Sequence, residues 1–271
     1  MPTGLENKSE TVAVSSSAYF LKPVKAFFEE VTAITRFAFR FFKELFMPRY
    51  ELKELIRQSY LLGYKSLPLI AVTGFIMGIV LIIQSRPTLA SFGAESWLPA
   101  MVSVSIIREM GPAIAALIFA GKVGSGIAAE LASMKVTEQI DAMEVSGINP
   151  FKYIVVTRII AATIMLPVLV ILSDAISLYG GFLAVNLKGD ISLHLYFSQV
   201  FQALAFTDIF PAFIKTIFFG FAVGLIGCYY GYNSAHGTEG VGKAANQSFV
   251  YGSISIFVLD MMAVQITSFF I

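Results

Sequence analysis

Long uncharged blocks alternate with short charged ones along the chain. Ser66 to Ser85 is twenty residues without a charge, enough at about 1.5 Å per residue to cross a hydrocarbon core of roughly 30 Å. Four similar blocks follow. They run from about 97 to 121, interrupted by Arg108 and Glu109; from about 159 to 185, with Asp174 inside; from about 212 to 232, with Lys215 near the start; and from about 245 to the C-terminus, with Asp260 inside. The pattern predicts an all-α membrane protein of about five transmembrane helices, one five-span domain over 66–271.

The first 65 residues read differently. Residues 1–18 are polar and lack an apolar h-region, so they predict a mobile tail and no cleaved signal peptide. Over 19–47, Val24, Phe27, Phe28, Val31, Ile34, Ala38, Phe41, Phe42 and Leu45 recur at steps of three and four. That spacing predicts an amphipathic helix with a Phe-rich face. With Lys25, Arg36, Arg40 and Lys43 off the stripe, region 19–65 reads as interfacial, its rings at the acyl boundary and its cations at the headgroups. A helix packed on a soluble core is the plainer alternative, but little soluble sequence exists for it to pack on.

Ten of the 19 Lys and Arg residues precede Ser66. Positive charge is retained on the cytoplasmic side, so the N-terminus is expected inside and, after five crossings, the C-terminus outside. The 122–158 loop, with Lys122, Lys135, Lys152 and Arg158, falls inside. Beyond the third block, Ile191, Leu195, Phe197, Val200, Phe201 and Leu204 suggest a short helix on the outer surface. No internal repeat supports the architecture of many secondary transporters.

Composition sharpens this picture by exclusion. Hydrophobic residues make up 56% and charged residues 14%, against about 45–50% and 25% in soluble domains. A net charge of +1 argues against a nucleic-acid partner. Cys228 alone forms no internal disulfide, and His194 and His236 lie in loops on opposite sides, a poor basis for a metal site. Lys122 sits where a Walker A lysine would, but Ala116 replaces the first glycine and Val123 the Ser/Thr. Gly121, Gly124, Ser125 and Gly126 read instead as close helix packing, as do Gly220, Gly224, Gly227 and Gly231 in the fourth block.

Three features carry candidate chemistry. The stretch from Lys135 to Gly147 predicts a short helix of about ten residues: Thr137 as N-cap, Glu138 at the positive end, Gly147 beyond the C-cap and Pro150 as a stop. Its acidic groups suit a docking handle, although a mere connector fits the composition as well. Arg108, Glu109, Lys215 and Asp260 place two cations and two anions in or near spans, where such groups face an interior and pair. Cavity lining and a structural ion cluster both fit; Asp174 caps a kink or joins the same cluster. Phe75, Ile76, Ile79 and Ile83 form a bulky stripe in the first span, either core or lipid-facing, or a lining for acyl chains.

Residues 107–185 resemble the MlaE/YrbE permease family of ABC transporters associated with MCE proteins. The likeness rests on Arg108-Glu109-Met110-Gly111-Pro112, then Ala120-Gly121-Lys122-Val123-Gly124-Ser125-Gly126, Ala129-Glu130-Leu131, and Met134 through Glu144, with Pro150 and Arg158. It extends more weakly over 20–271. The resemblance implies a lipid-moving permease, non-catalytic itself, that works as a homodimer. Lys135, Thr137, Glu138, Gln139, Asp141, Met143 and Glu144 would couple it to a cytoplasmic ATPase dimer that binds ATP and magnesium; this chain would hold no cofactor. An MCE-domain protein would sit outside, and a small cytoplasmic accessory subunit is an optional further partner. Arg108, Glu109, Lys215 and Asp260 would face the substrate cavity, and the location would be a bacterial inner membrane. A self-contained secondary transporter or channel using the charges is the alternative. A lipid-directed enzyme lacks G-x-S-x-G, H-E-x-x-H and any intraspan histidine.

Overall fold

A computed structural model of the chain describes residues 25, 28–47, 51–187, 189 and 191–270. The 1–18 tail, Val24 and Phe27 lie outside the described residues. The chain divides into two compact units between Met47 and Pro48. In the first, residues 28–45 form one helix, α1, with Phe28, Phe39 and Phe42 exposed.

The second unit is helical, without a strand among its described residues. Its elements are α2 (Leu52–Tyr64), α3 (Leu67–Ser91), α4 (Leu98–Ser105), α5 (Gly111–Phe119), α6 (Ser125–Val136), α7 (Gln139–Val145), α8 (Thr157–Asn186), α9 (Leu193–Ala203), α10 (Phe206–Tyr232) and α11 (Thr238–Phe270). Three π-helical turns join some of them: Ile106–Met110 between α4 and α5, Ala120–Gly124 between α5 and α6, and Phe151–Val156 ahead of α8. Five continuous helical stretches are long and apolar enough to cross a membrane: Leu52–Ser91, Glu95–Val136, Phe151–Asn186, Phe206–Tyr232 and Thr238–Phe269. The chain is therefore a multi-pass integral membrane protein. Each stretch outruns its uncharged block, because helices continue through polar ends that hydropathy alone discards. Accordingly α2, which belongs to the same compact unit as the spans, packs on α8 with Gly63 against Met165.

Small residues set the closest contacts. A Cβ on Gly78 would lie 1.9 Å from the Ser177 carbonyl oxygen, and one on Gly180 would lie 2.6 Å from that of Phe75. The α3 and α8 backbones therefore touch, and the Ser177 hydroxyl donates to the Gly74 carbonyl at 2.8 Å across them. The glycine face of α10 packs within the chain, as its spacing suggested. Gly220 and Gly224 meet α8 at Ala162 and Ile159; Gly227 and Gly231 meet Gly124 and Ala128. Close approach of this kind substitutes for the hydrophobic drive that lipid removes.

The outer-surface helix suggested by the sequence is α9, opened by the Ser192 side chain accepting from the Leu195 N–H. Tyr196 anchors it: fully buried, it packs edge-on to Phe182 and Phe197. Burial pushes its phenol up to about 12, so it acts as a neutral wedge. Since α7 joins spans two and three and α9 joins spans three and four, they lie at opposite ends of the bundle.

Candidate functional site

The centre of the site is Lys215, buried nine residues into α10. Its Nζ donates to Glu109 Oε2 at 2.7 Å and to Asp260 Oδ1 at 2.9 Å. Three spans thus converge on one ammonium. A buried lysine needs such partners, because an unpaired charge in a low-dielectric interior is costly. Arg108, also expected in the cluster, turns to a different partner: its Nη1 lies 3.4 Å from Asp208 Oδ1 in the first turn of α10. Asp208 is doubly used, since its Oδ2 accepts the Ala205 N–H at 3.1 Å and caps α10.

The local backbone explains how neighbours Arg108 and Glu109 reach different partners. Both sit in the π-turn Ile106–Met110, where the Gly111 N–H donates to Ile106, five residues back. Pro112 follows and has no N–H for the carbonyl of Arg108. The wider turn absorbs that loss and re-aims its side chains, a device frequent at functional sites. Gly111 is required for another reason: a Cβ there would lie 1.9 Å from Asp174 Oδ1. Asp174 joins no ion pair among the described residues, and its Oδ1 is buried without a hydrogen-bond partner. It lines a separate cavity of about 200 Å³ with Pro112, Pro167 and Phe213.

Two larger cavities meet at Lys215. One, of about 270 Å³, is polar: Arg108, Glu109, Asp208 and Lys215 line it, with Thr207, Thr267 and Ser268. The other, of about 710 Å³, is a groove between α10 and α11 walled by Phe206, Phe210, Ile214, Phe218, Met262 and Ile266. Thr207, Pro211, Lys215, Ala263 and Thr267 belong to both linings. A charged chamber and an oily one therefore share a wall.

The bulky stripe of α3 is not part of this arrangement. Ile76 and Ile83 are exposed on the bundle's outer face, while Phe75 and Ile79 are half-buried; none lines either cavity. The reason is packing: Gly74 and Gly78 draw the opposite face of α3 onto α8, which turns Ile76 and Ile83 outward.

At the opposite end, the short acidic helix exists but starts later and is shorter than its sequence suggested. α6 runs on to Val136, so Thr137 is the cap of that helix and not the N-cap of the next. Its hydroxyl donates back to Ser133 at 2.9 Å. Glu138 makes the corner, in the left-handed region at φ 58°, a sparsely populated conformation for a non-glycine residue. α7 then covers seven residues, Gln139–Val145. Its end fits the expectation: Gly147 has φ 77°, its N–H donates to Glu144 and that of Ile148 to Met143, a Schellman motif. Ile140 is buried and Met143 half-buried, whereas Thr137, Glu138, Gln139, Asp141 and Glu144 are exposed. Lys135 is half-buried and tied to α10 through the Tyr232 carbonyl at 3.3 Å.

Other residues of the motif-rich stretch hold this end together. Arg158, buried, donates to Glu130 at 2.8 Å and to the Ile154 carbonyl at 3.1 Å. Lys122, in the second π-turn, donates to the Lys65 carbonyl at the end of α2. Of the charged residues around the chamber, Asp208 is the one its sequence pattern did not bring out. Its signal was an acidic residue three positions after Ala205, at the entry to a span.

Known proteins share this sequence over most of its length. A family model described as permease MlaE matches residues 55–266. A probable ABC transporter permease protein of Rickettsia prowazekii is 39% identical over 240 residues, 89% of this chain and 93% of the relative. The intermembrane phospholipid transport system permease protein MlaE of Haemophilus influenzae is 36% identical over 214 residues, 78% and 82% of the two chains. A probable ABC transporter permease of Synechocystis is 30% identical over 244 residues, 90% of each. The match spans the π-turn charges, the glycine contacts and α7, and with it the chain belongs to the MlaE permease family.

Proposed function

We propose that the chain is the membrane subunit of an ABC transporter that moves phospholipid between membranes. The observation that carries this reading is the pairing of family membership with a charged chamber and an apolar groove that share Lys215 in their linings. A two-chain lipid has the same division: a polar head and a long hydrocarbon body. Energy comes from a separate cytoplasmic ATPase dimer, which binds ATP and magnesium and seats α7. The exposed Glu138, Asp141 and Glu144 offer polar contacts, and Met143 an apolar anchor.

A second copy of the chain completes the permease, related by a two-fold axis that presents one α7 to each ATPase. An MCE-domain protein receives or delivers lipid at the α9 end. The assembly resides in a bacterial inner membrane, with α1 lying in the interface. The test is purification of the native complex with mass spectrometry of its bound lipid. Phospholipid and an ATPase are expected to co-purify; a chain free of both, still transporting a solute, returns the secondary-transporter reading.

A further inference from the structure

The charged chamber has an unbalanced charge count. Arg108 and Lys215 stand against Glu109, Asp208 and Asp260, a surplus of one negative charge. The five groups also differ in access. The Lys215 side chain is 6% exposed and committed to two carboxylates, whereas Arg108 and Glu109 are 41% and 45% exposed. What the chamber offers a ligand is therefore a guanidinium and a carboxylate on adjacent residues. Arg108 uses one nitrogen in a long 3.4 Å ion pair and keeps further donors of its planar fork. Glu109 gives Oε2 to Lys215, and no hydrogen bond to its other oxygen is found among the described residues.

We infer that the site selects a zwitterionic phospholipid headgroup bearing a primary ammonium, of the ethanolamine class, over a purely anionic one. This rests on the lipid-transport reading and adds the headgroup chemistry. The phosphate is received by Arg108, matching guanidinium to phosphate geometry. The ammonium is received by Glu109. An anionic headgroup would add a second uncompensated negative charge to a partly desolvated site, where like charges are expensive. A quaternary ammonium, as in choline, is recognised by aromatic faces because it has no N–H to donate. No aromatic ring lines the charged chamber among the described residues. The acyl chains lie along the adjoining α10–α11 groove, whose wall from Phe206 to Phe219 runs about 20 Å at 1.5 Å per residue.

The experiment offers the purified native complex vesicles of equal phosphatidylethanolamine, phosphatidylglycerol and phosphatidylcholine, matched in acyl chain, and quantifies bound lipid by mass spectrometry. The ethanolamine lipid is expected to be enriched roughly fivefold over each of the others, the ratio one part-exposed ion pair of about 1 kcal/mol supplies. Glu109→Gln removes both the ammonium's partner and the surplus charge, so the preference over phosphatidylglycerol should vanish. Because Glu109 also holds Lys215, Asp208→Asn provides a second reading: it keeps the acceptor for the Ala205 N–H, removes the surplus and should shift the ratio toward the anionic lipid. Equal uptake of the three lipids, or an ethanolamine preference unchanged in both variants, overturns headgroup selection while leaving lipid transport standing. No phospholipid bound to the wild type would overturn the transport reading itself.

Discussion

The third and fifth spans are both long apolar helices, yet they live in different surroundings. In the most apolar stretch of the third, 67% of residues are buried within the chain; in the fifth, 11% are. The third span, α8, meets α2, α3, α5 and α10 and carries the small residues that allow it: Ala161, Ala162, Ser173, Ser177, Gly180 and Gly181. The fifth, α11, presents Ile254, Phe257, Val258, Met261 and Ile266 outward and holds one functional charge, Asp260, against Lys215. Hydropathy does not mark the lipid-facing helix, since the buried third span is the more apolar of the two, with a mean hydropathy of 2.5 against 1.7. Backbone contact does: α8 is a scaffold that its neighbours close upon, with Gly78 and Gly220 set against its main chain, and α11 is a wall with an exposed apolar outer face.

Several substitutions bear on this contrast. The largest effect is expected where the wall is tied to the rest of the bundle, at Lys215 of α10. Lys215→Met strands Glu109 and Asp260 and should destabilise the chain by about 3–5 kcal/mol, read as thermal unfolding in detergent. Lys215→Met combined with Glu109→Gln and Asp260→Asn should recover much of that loss, because the members of one network are not additive. A triple variant less stable than the single would mean that the charges act independently.

Next comes a glycine in each setting. Gly78→Ala places a methyl group against the Ser177 backbone and should cost about 1–3 kcal/mol as α3 and α8 part. Gly252→Ala in α11 meets only Ala120 Cβ, at 3.7 Å. It should be neutral or stabilising by up to about 1 kcal/mol through helix propensity. Equal melting shifts for both would erase the distinction between scaffold and wall.

On the exposed face, Phe257→Ala with Met261→Ala should change subunit stability by about 0.5 kcal/mol or less. The same pair should weaken self-association, measured by crosslinking of engineered cysteines along α11 with Cys228 replaced. Unchanged crosslinking would mean that the exposed face of α11 does not seat the second copy. Smallest in stability is Glu138→Lys with Asp141→Lys, since both side chains are exposed. Insertion should be normal while ATPase association and transport fall together; full transport in this variant would dismiss α7 as the coupling element.

How much of this was legible in the sequence varies by feature. The five spans were, because apolar runs this long, with at most two charges each, have few other uses. The Lys215–Glu109–Asp260 cluster was too, since buried charges in a membrane must find one another. The glycine face of α10 was recognised, whereas the Gly74-x-x-x-Gly78 pair in α3 was equally readable and fixes which way Phe75, Ile76, Ile79 and Ile83 point. The π-turn at Ile106–Met110 was hidden, because it depends on how Pro112 and Asp174 are accommodated together. The register of α7 was hidden by competition: Thr137 is a good N-cap residue, but the favourable continuation of α6 through Lys135 and Val136 claimed it first.

The central claim, an ATPase-driven lipid permease built from two of these chains, is tested most directly by native mass measurement of the complex drawn from its own membrane. Two copies of the chain, two ATPase subunits and bound phospholipid are predicted. A single chain without ATPase or lipid would contradict it.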